Sequence, residues 1–164
     1  MSFNPGAPPF PPQYVIGKQY IILVPDGTIA VPFGAATFLG SYNVPNPVAN
    51  LDPSITSIEP QLLGMYAQVD SLKIVTSGPG ASVQLAVGID TSPNAYSIAS
   101  SSAIGLDAGT YSAIRTKTNS GFPGNINLPT ATGIFLNPYL DNTFGSVNAT
   151  VTWKNFVLKA FFYI

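Results

Sequence analysis

The chain has 164 residues, of which only 13 carry a formal charge, and it contains neither histidine nor cysteine. Soluble domains ordinarily hold about 25% Asp, Glu, Lys and Arg, whereas the share here is 8%. Proton transfer near neutral pH, thiol chemistry and the common zinc sites depend on His or Cys, so this composition excludes most catalytic chemistry. We therefore expect a protein that assembles or binds, with no enzymatic activity and no cofactor.

The length fits one domain, which can bury about 68 to 70% of its unfolded surface. A net charge of −1 gives no field that would attract phosphates, so we expect no direct contact with nucleic acid. No apolar run approaches the roughly 20 residues that span a bilayer, and the N-terminus lacks a secretory signal pattern. These features predict a protein that does not span a membrane and that either acts where it is made or is already in its mature form.

Residues 1–13, MSFNPGAPPFPPQ, contain five of the sixteen prolines. Proline fixes φ and removes a backbone donor, so neither a helix nor a central strand can form there. We predict an extended arm at 1–13 followed by a single β domain at 14–164. The large rings of Phe3 and Phe10 suit contact with a neighbouring subunit, because a semi-rigid proline-rich segment loses little entropy on binding.

Two β-prone apolar runs follow the arm, in GKQYIILVPDGTIAVPF. The Pro25-Asp26-Gly27 sequence between them has the residues of a tight turn and predicts a hairpin. Residues 41–60 hold four prolines and show no sustained periodicity, which predicts a long loop.

Strand patterns dominate from Leu62 onward. Val83, Leu85, Val87 and Ile89 alternate with smaller or polar residues and predict a half-buried strand. The preceding DSLKIVT run also reads as a strand, and the turn SGPG between the two predicts that they pair with each other. Residues 90–132 are rich in Ser, Thr, Asn and Gly and predict short strands between long turns.

The end of the chain predicts two final strands. In the first, Trp153 is in phase with Val151 and Ala149 and is therefore expected in the core. The second, FVLKAFFYI, is apolar on both faces, with Phe161 and Tyr163 opposite Phe162 and Ile164. Burial of both faces is expected in a tight central strand or where subunits meet.

No window shows the apolar stripe of a helix with a capping signal. Many short strands with Gly and Pro turns predict an all-β fold, an antiparallel β-sandwich. A jelly roll is favoured over an immunoglobulin-like sandwich, because the Cys–Trp–Cys core of the latter is missing and two four-stranded sheets fit the length.

Polar residues offer little chemistry. Seven carboxylates could supply a glycosidase pair, but nearly all lie in turn-like sequence where Asp caps backbone amides. A serine nucleophile has no histidine to act as its base. Asp141 with Asn142, or Asp90 with Asn94, could contribute calcium ligands, but the spacing of a calcium loop is absent. We predict no catalytic, cofactor or metal residues.

Aromatic residues are the remaining candidates for binding. Several tyrosines lie near loops and could line an interface, where tyrosine is enriched: Tyr42, Tyr66, Tyr96, Tyr111 and Tyr139. The same tyrosines could instead stack against sugar rings. The alternative hypothesis is therefore a fibre tip or carbohydrate-binding module that uses the loops at residues 41–60 and 94–111.

The proline-rich arm, the LKIVTSGPGASVQLAVGI stretch and the apolar end VTWKNFVLKAFFYI together resemble small jelly-roll proteins of virus particles, above all the capsid cement or decoration proteins of tailed phages. The end also resembles the closing strand of trimeric C1q/TNF-type jelly rolls. The first resemblance implies a virion protein, made in the host cytoplasm, that binds the major capsid protein at the capsid surface as a homotrimer in preference to a dimer. The expected interface residues are Phe3, Phe10, Tyr42, Phe161 and Tyr163.

Overall fold

A computed structural model describes residues 17–44, 61–80, 82–97, 99–100, 104–116, 126–127 and 134–163. These residues form strands and turns, and none of them is helical. The described residues therefore include no helix that could cross a membrane. The strands are β1 (Gly17–Val24), β2 (Gly27–Val31), β3 (Ala36–Phe38), β4 (Tyr42–Val44), β5 (Gln61–Thr76), β6 (Val83–Asp90), β7 (Ala99–Ser100), β8 (Ile104–Leu106), β9 (Gly109–Arg115), β10 (Ile126–Asn127), β11 (Ile134–Asp141) and β12 (Ala149–Tyr163).

The strand pairing is that of a jelly roll. In one sheet β1 and β2 both pair with β12, which pairs with β5, which pairs with β9 and β10. In the other sheet β3 and β4 pair with β11, which pairs with β6, which pairs with β7 and β8. Short strands that pair with the same neighbour can be counted as one, which gives eight strands in chain order: β1–β2, β3–β4, β5, β6, β7–β8, β9–β10, β11 and β12. The first of these pairs with the eighth, the second with the seventh, the third with the sixth and the fourth with the fifth. All the pairings are antiparallel, and a long hairpin wound in this way gives the two sheets of a jelly roll. The predicted all-β sandwich is confirmed.

The core lies between the two sheets and is made by the inward-facing side chains of the long strands. Phe156 and Leu158 of β12 are fully buried, as are Leu85 of β6 and Leu136 of β11. Trp153 is buried as predicted. Its indole N–H donates to the carbonyl of Pro25 over 2.8 Å, so its one polar atom has a partner.

A coordinated shift in side-chain alternation crosses the whole first sheet. The inward-facing residues of β12 change phase between Trp153 and Phe156, and those of β5 change phase between Val69 and Leu72. Trp153 pairs with Leu72 and Phe156 pairs with Val69, so the register of the two strands is kept. Each strand simply carries one extra residue at the same level.

The same shift continues into the flanking strands. Four residues lie on one line across the sheet, and we call them the phase-shift row: Pro25, Asn155, Asp70 and Ala113. Asn155 and Ala113 have positive φ values of 51° and 53°. Asparagine tolerates this left-handed region, whereas alanine adopts it at a cost in free energy.

The predicted hairpin at Pro25-Asp26-Gly27 is wrong. The chain runs straight through these residues, because β1 and β2 pair with one strand, β12, in a single continuous register from the Gly17–Tyr163 pair to the Val31–Ala149 pair. Asp26 accepts a hydrogen bond from the backbone N–H of Asn155 over 2.8 Å. The turn-like residues therefore make the phase-shift row at the sheet edge, where a proline without a donor is tolerated.

Two further strand predictions need correction. The DSLKIVT and Val83–Ile89 strands do not pair with each other, since β5 and β6 belong to different sheets and the SGPG turn crosses the sandwich. The two expected final strands are one strand, β12, which passes through Asn155 with its register to β5 unchanged. The extended arm at 1–13 and most of the expected loop at 41–60 lie outside the described residues.

The inward positions of β6 are those expected from the alternation, because Val83, Leu85, Val87 and Ile89 are all fully buried. The prediction that this strand is only half buried is wrong. Ala86 on the opposite face is also fully buried.

Candidate interaction surface

The outward face of the first sheet carries an apolar patch above the phase-shift row. We call it the outer patch, and its residues are Ile21, Leu23, Val157 and Phe161. Ile21 and Leu23 are exposed to 59% and 73% of their surface. Leu23 pairs directly with Val157 across the strands, so the two point to the same side. Phe161 lies on that side too, four residues along β12 from Val157.

Basic side chains lie within and beside the outer patch, since Lys159 pairs with Ile21 and Arg115 lies on β9, beyond β5. Tyr66, on the same face, pairs with Lys159 and lies between several neighbours. The Arg115 guanidinium is 3.8 Å from its ring centroid, the Lys159 amine is 5.7 Å away and the Phe161 ring centroid is 6.0 Å away. Arg115 stacked on Tyr66 at this distance makes a cation–π contact. The patch therefore combines apolar surface with hydrogen-bond donors and positive charge.

The outward face changes character below the phase-shift row. Thr28 and Thr152 are joined there by a hydrogen bond of 2.9 Å between their hydroxyls, and Thr150 is exposed beside them. Val75 is the exposed large apolar residue of this half, at 52%. Apolar exposure on this face is therefore concentrated above the row, around Ile21 and Leu23.

The outward face of the second sheet is covered by its own chain. The loop at 91–97 lies against Gly88, where an added Cβ would come within 2.2 Å of the Cβ of Tyr96. The Asn137 amide holds the loop by donating to the carbonyls of Ser92 and Ala95, over 3.1 and 2.6 Å. This loop explains why β6 is buried on both faces.

An aromatic group lies beside this loop. The Tyr96 ring stacks on the Tyr139 ring with centroids 4.7 Å apart, and Phe38 lies 6.0 Å from Tyr96. Tyr96 remains 44% exposed. The backbone N–H of Asn94, in the same loop, donates to the Ser41 hydroxyl over 2.8 Å. An exposed aromatic ring with polar neighbours is one kind of surface that can bind sugars.

The carboxylates that could have served chemistry are bound to nearby backbone and hydroxyl groups. Asp90 accepts from the N–H groups of Ser92 and Ser97, over 3.1 and 2.7 Å, and from the Ser97 hydroxyl. The Ser97 hydroxyl is the main reason that the pKa of Asp90 lies below its usual value; burial opposes it, and the backbone N–H groups add to it.

Asp141 caps its own turn in the same way, accepting from the N–H of Thr143 over 2.8 Å. Across the parts of the chain that the structure describes, no three His, Cys, Asp or Glu side chains gather into a group that could hold a metal ion. Both acids suggested as calcium ligands thus hold turns together.

Of the predicted interface residues, Phe161 and Tyr42 belong to different sheets. Phe161 is half buried on the outward side of β12. Tyr42 pairs with Leu136 of the core, packs against the core and donates its hydroxyl to the Leu39 carbonyl over 3.4 Å; burial raises its pKa. Tyr163 ends β12, opposite Gly17. Its side chain, together with Phe3 and Phe10, lies outside the described residues.

The prediction from sequence missed Ile21, Leu23 and Val157. A signal for them exists in the run YIILV, because Tyr20, Ile22 and Val24 point inward while Ile21 and Leu23 point outward. A strand that is apolar on both faces calls for a second covering surface, and the same reasoning that singled out the end of the chain applies to β1.

No protein-family model matches the chain, and no curated protein matches it. Among solved structures, the chain is similar to a protein of the Israeli acute paralysis virus particle, with 14% identity and a TM-score of 0.30 over 88% of this chain and 70% of the other.

It is also similar to infectious bursal disease virus proteins. For the Gx strain the identity is 15% and the TM-score 0.32, over 89% of this chain and 37% of the other. For the VP2 subviral particle the values are 10% and 0.26, over 96% of this chain and 46% of the other. The chain thus spans less than half of these bursal disease virus proteins. Its jelly-roll assignment rests on its own strand pairing.

Proposed function

We propose that the chain is a structural protein of a virus particle, of the capsid cement or decoration kind. It associates with copies of itself, as a trimer in preference to a dimer, and binds the major capsid protein at the capsid surface. The segment at 1–13 and the faces of the sandwich make the contacts. It has no catalytic role and needs no cofactor.

The exposure of Ile21 and Leu23 is the observation that carries this proposal. Covering an exposed Leu or Ile side chain is worth roughly 1.5 to 3 kcal/mol, and these two lie next to each other on the same face of β1. With only 13 charged residues in the chain, little ionic surface keeps such a face dispersed in water. Both features favour a molecule whose outside is covered by other protein.

The residues predicted for these contacts are Phe3, Phe10, Tyr42, Phe161 and Tyr163. Phe161 belongs to the outer patch, which supports its inclusion. Weak individual contacts are sufficient in this arrangement, because an oligomer that touches several capsid subunits gains affinity through effective concentration.

Binding to assembled shells tests the proposal. Shells formed by the major capsid protein of the source virus are mixed with the full chain or with a chain that lacks residues 1–13, and are sedimented after salt and heat challenge. We expect the full chain to co-sediment and to protect the shells, and the shortened chain to keep its β fold but to be retained several-fold less. A full chain that stays in the supernatant contradicts the proposal.

The exposed Tyr96 supports a second candidate, a fibre-tip or carbohydrate-binding module. Its ring is stacked on Tyr139 and is held in place by the 91–97 loop, so it is a rigid platform. Binding on a glycan array that is abolished by Tyr96→Ala and retained in Tyr42→Phe would favour this candidate. An array without signal for the native chain removes it.

A further inference from the structure

The outer patch lacks a covering layer among the described residues, and its chemistry indicates what would cover it. Ile21, Leu23, Val157 and Phe161 form an apolar strip across two adjacent strands. Lys159 lies within this strip, paired with Ile21, and Arg115 lies beside it, over the Tyr66 ring. Among the described residues, the positions paired across the sheet with Leu23, Ile21 and Gln19 hold no Asp or Glu. A ligand for this surface should be apolar, free of positive charge and rich in hydrogen-bond acceptors.

Residues 1–16 of the chain have these properties. They contain no Asp, Glu, Lys or Arg, and they hold five prolines and the two rings of Phe3 and Phe10. A proline-rich segment favours the polyproline II conformation, which makes no internal hydrogen bonds and leaves its carbonyl groups free to accept. Surfaces that bind such segments combine aromatic rings with polar donors. Phe161 supplies an aromatic ring and the two basic side chains supply donors, while Tyr66 is buried beneath Arg115 and holds the guanidinium in place.

We propose that the outer patch binds residues 1–16 of a neighbouring copy of this chain. The proposal rests on the proposed function in that copies of the chain associate, and it adds the place where the N-terminal segment is bound. Phe3 and Phe10 would lie against Ile21 and Leu23, while Arg115 and Lys159 would donate to proline-segment carbonyls.

The position of Gly17 favours a neighbouring copy over the segment's own patch. Gly17 pairs with Tyr163 at one end of β1, and the strand runs from there past Ile21 to Leu23. A segment that enters the sheet at Gly17 comes from the side away from Leu23, so it would have to reverse direction to reach its own patch. Sixteen residues in an extended proline-rich conformation span about 50 Å at roughly 3.1 Å each, which is enough to reach another subunit.

Cysteine cross-linking tests this directly, because the native chain has no cysteine. One preparation carries Phe10→Cys and another carries Leu23→Cys, and the two are mixed and treated with a short bis-maleimide. We expect a cross-linked pair that contains one chain of each kind. The matched control replaces Leu23→Cys by Val75→Cys, which is exposed to 52% on the other half of the same sheet face, and should give several-fold less product.

A chain that carries both Phe10→Cys and Leu23→Cys separates the two possible origins of the segment. We expect dimers and larger species from it. A product cross-linked within single chains, or a yield no higher than that of the Val75→Cys control, overturns the proposal.

Comparison with shell binding separates this proposal from the proposed function. Cross-linking through Leu23→Cys in a chain that does not bind shells would leave the patch in place and reject the capsid role. Shell binding without cross-linking would support the capsid role and reject the outer patch as the binding site of residues 1–16. Leu23→Lys should also weaken self-association several-fold while Val75→Lys does not, with both variants keeping the native β-sheet circular dichroism spectrum.

Discussion

The backbone N–H of Asn155 donates to the carboxylate of Asp26 over 2.8 Å, at the row where β12, β5 and their flanking strands change their side-chain phase. This bond joins the edge of the sheet to its central strand at the point where ordinary pairing is interrupted. Asp26→Ala removes the acceptor, and because the site is exposed and water can replace it, we expect a loss of about 1 kcal/mol in the free energy of unfolding. Urea denaturation measures it.

Asp26→Asn is the matched variant for this bond, because its amide oxygen can still accept from Asn155. It should lose less stability than Asp26→Ala. Equal unfolding midpoints for Asp26→Ala and the native chain would show that the bond does not hold the edge strand.

Ala113 is the second residue of the phase-shift row with a positive φ, at 53°. A left-handed conformation costs a non-glycine residue roughly 1 to 2 kcal/mol, part of which glycine recovers. We expect Ala113→Gly to raise the free energy of unfolding by about 0.5 to 1 kcal/mol. Ala30→Gly, in a strand position without a positive φ, should lower it instead. A destabilised Ala113→Gly would contradict the strained backbone at this row.

Gly88 supports the loop that covers the second sheet, since a Cβ there would lie 2.2 Å from the Cβ and 3.1 Å from the Cα of Tyr96. Gly88→Ala must push the loop away from the sheet, and we expect it to cost about 1 to 3 kcal/mol and to weaken the near-ultraviolet tyrosine signal as Tyr96 leaves Tyr139. Gly105→Ala, where a Cβ meets nothing within 4 Å, is the control and should be nearly neutral. Similar behaviour of the two variants would argue against the close contact.

Asp90 makes stability depend on pH in the acid range. Its pKa is lowered in the folded chain, chiefly by the Ser97 hydroxyl. Folding therefore stabilises the carboxylate relative to the protonated acid. This contribution is complete above the unfolded pKa of about 3.9 and is lost as pH falls through the lower folded pKa.

The Asp90→Asn variant lacks this titration. The advantage of the native chain over the variant should therefore be constant near neutral pH and should shrink as the solution is acidified below about pH 4. Thermal unfolding of both chains across this range measures the difference. A gap that stays the same down to the lowest pH would rule out Asp90 as the group responsible.

The fold class and much of the core could be predicted from the sequence, because a period-two alternation such as Val83, Leu85, Val87 and Ile89 has one physical reading. The pairing partner of a strand is not encoded in its alternation. The turn SGPG is equally suited to a hairpin within one sheet and to a connection between two sheets, which is why β5 and β6 were wrongly predicted to pair.

The phase-shift row misled the sequence prediction in two other places. An extra residue at Asn155 moves the inward positions from Trp153 to Phe156, so one long strand has the pattern of two. At Pro25 and Asp26 the same shift has the residues of a turn. Asparagine at 155 is a hint, since it tolerates a positive φ, but only the neighbouring strands show that all of them shift together.

The outer patch could have been found from the YIILV run, whereas its border could not. Arg115 is 49 residues from Tyr66 in sequence, and only the pairing of β5 with β9 places the guanidinium over the ring. Tyr42 shows the opposite case: its position near a loop favoured an interface role, but its partner Leu136 places it on the inward face of its sheet.

The most direct test of this account is the mass of the purified full chain in solution, measured by multi-angle light scattering across a range of concentrations. A sheet face with exposed apolar residues that is covered by neighbouring copies predicts an oligomer, with a mass of three chains favoured over two, and Leu23→Lys should reduce it. A single-chain mass at every concentration would contradict the account.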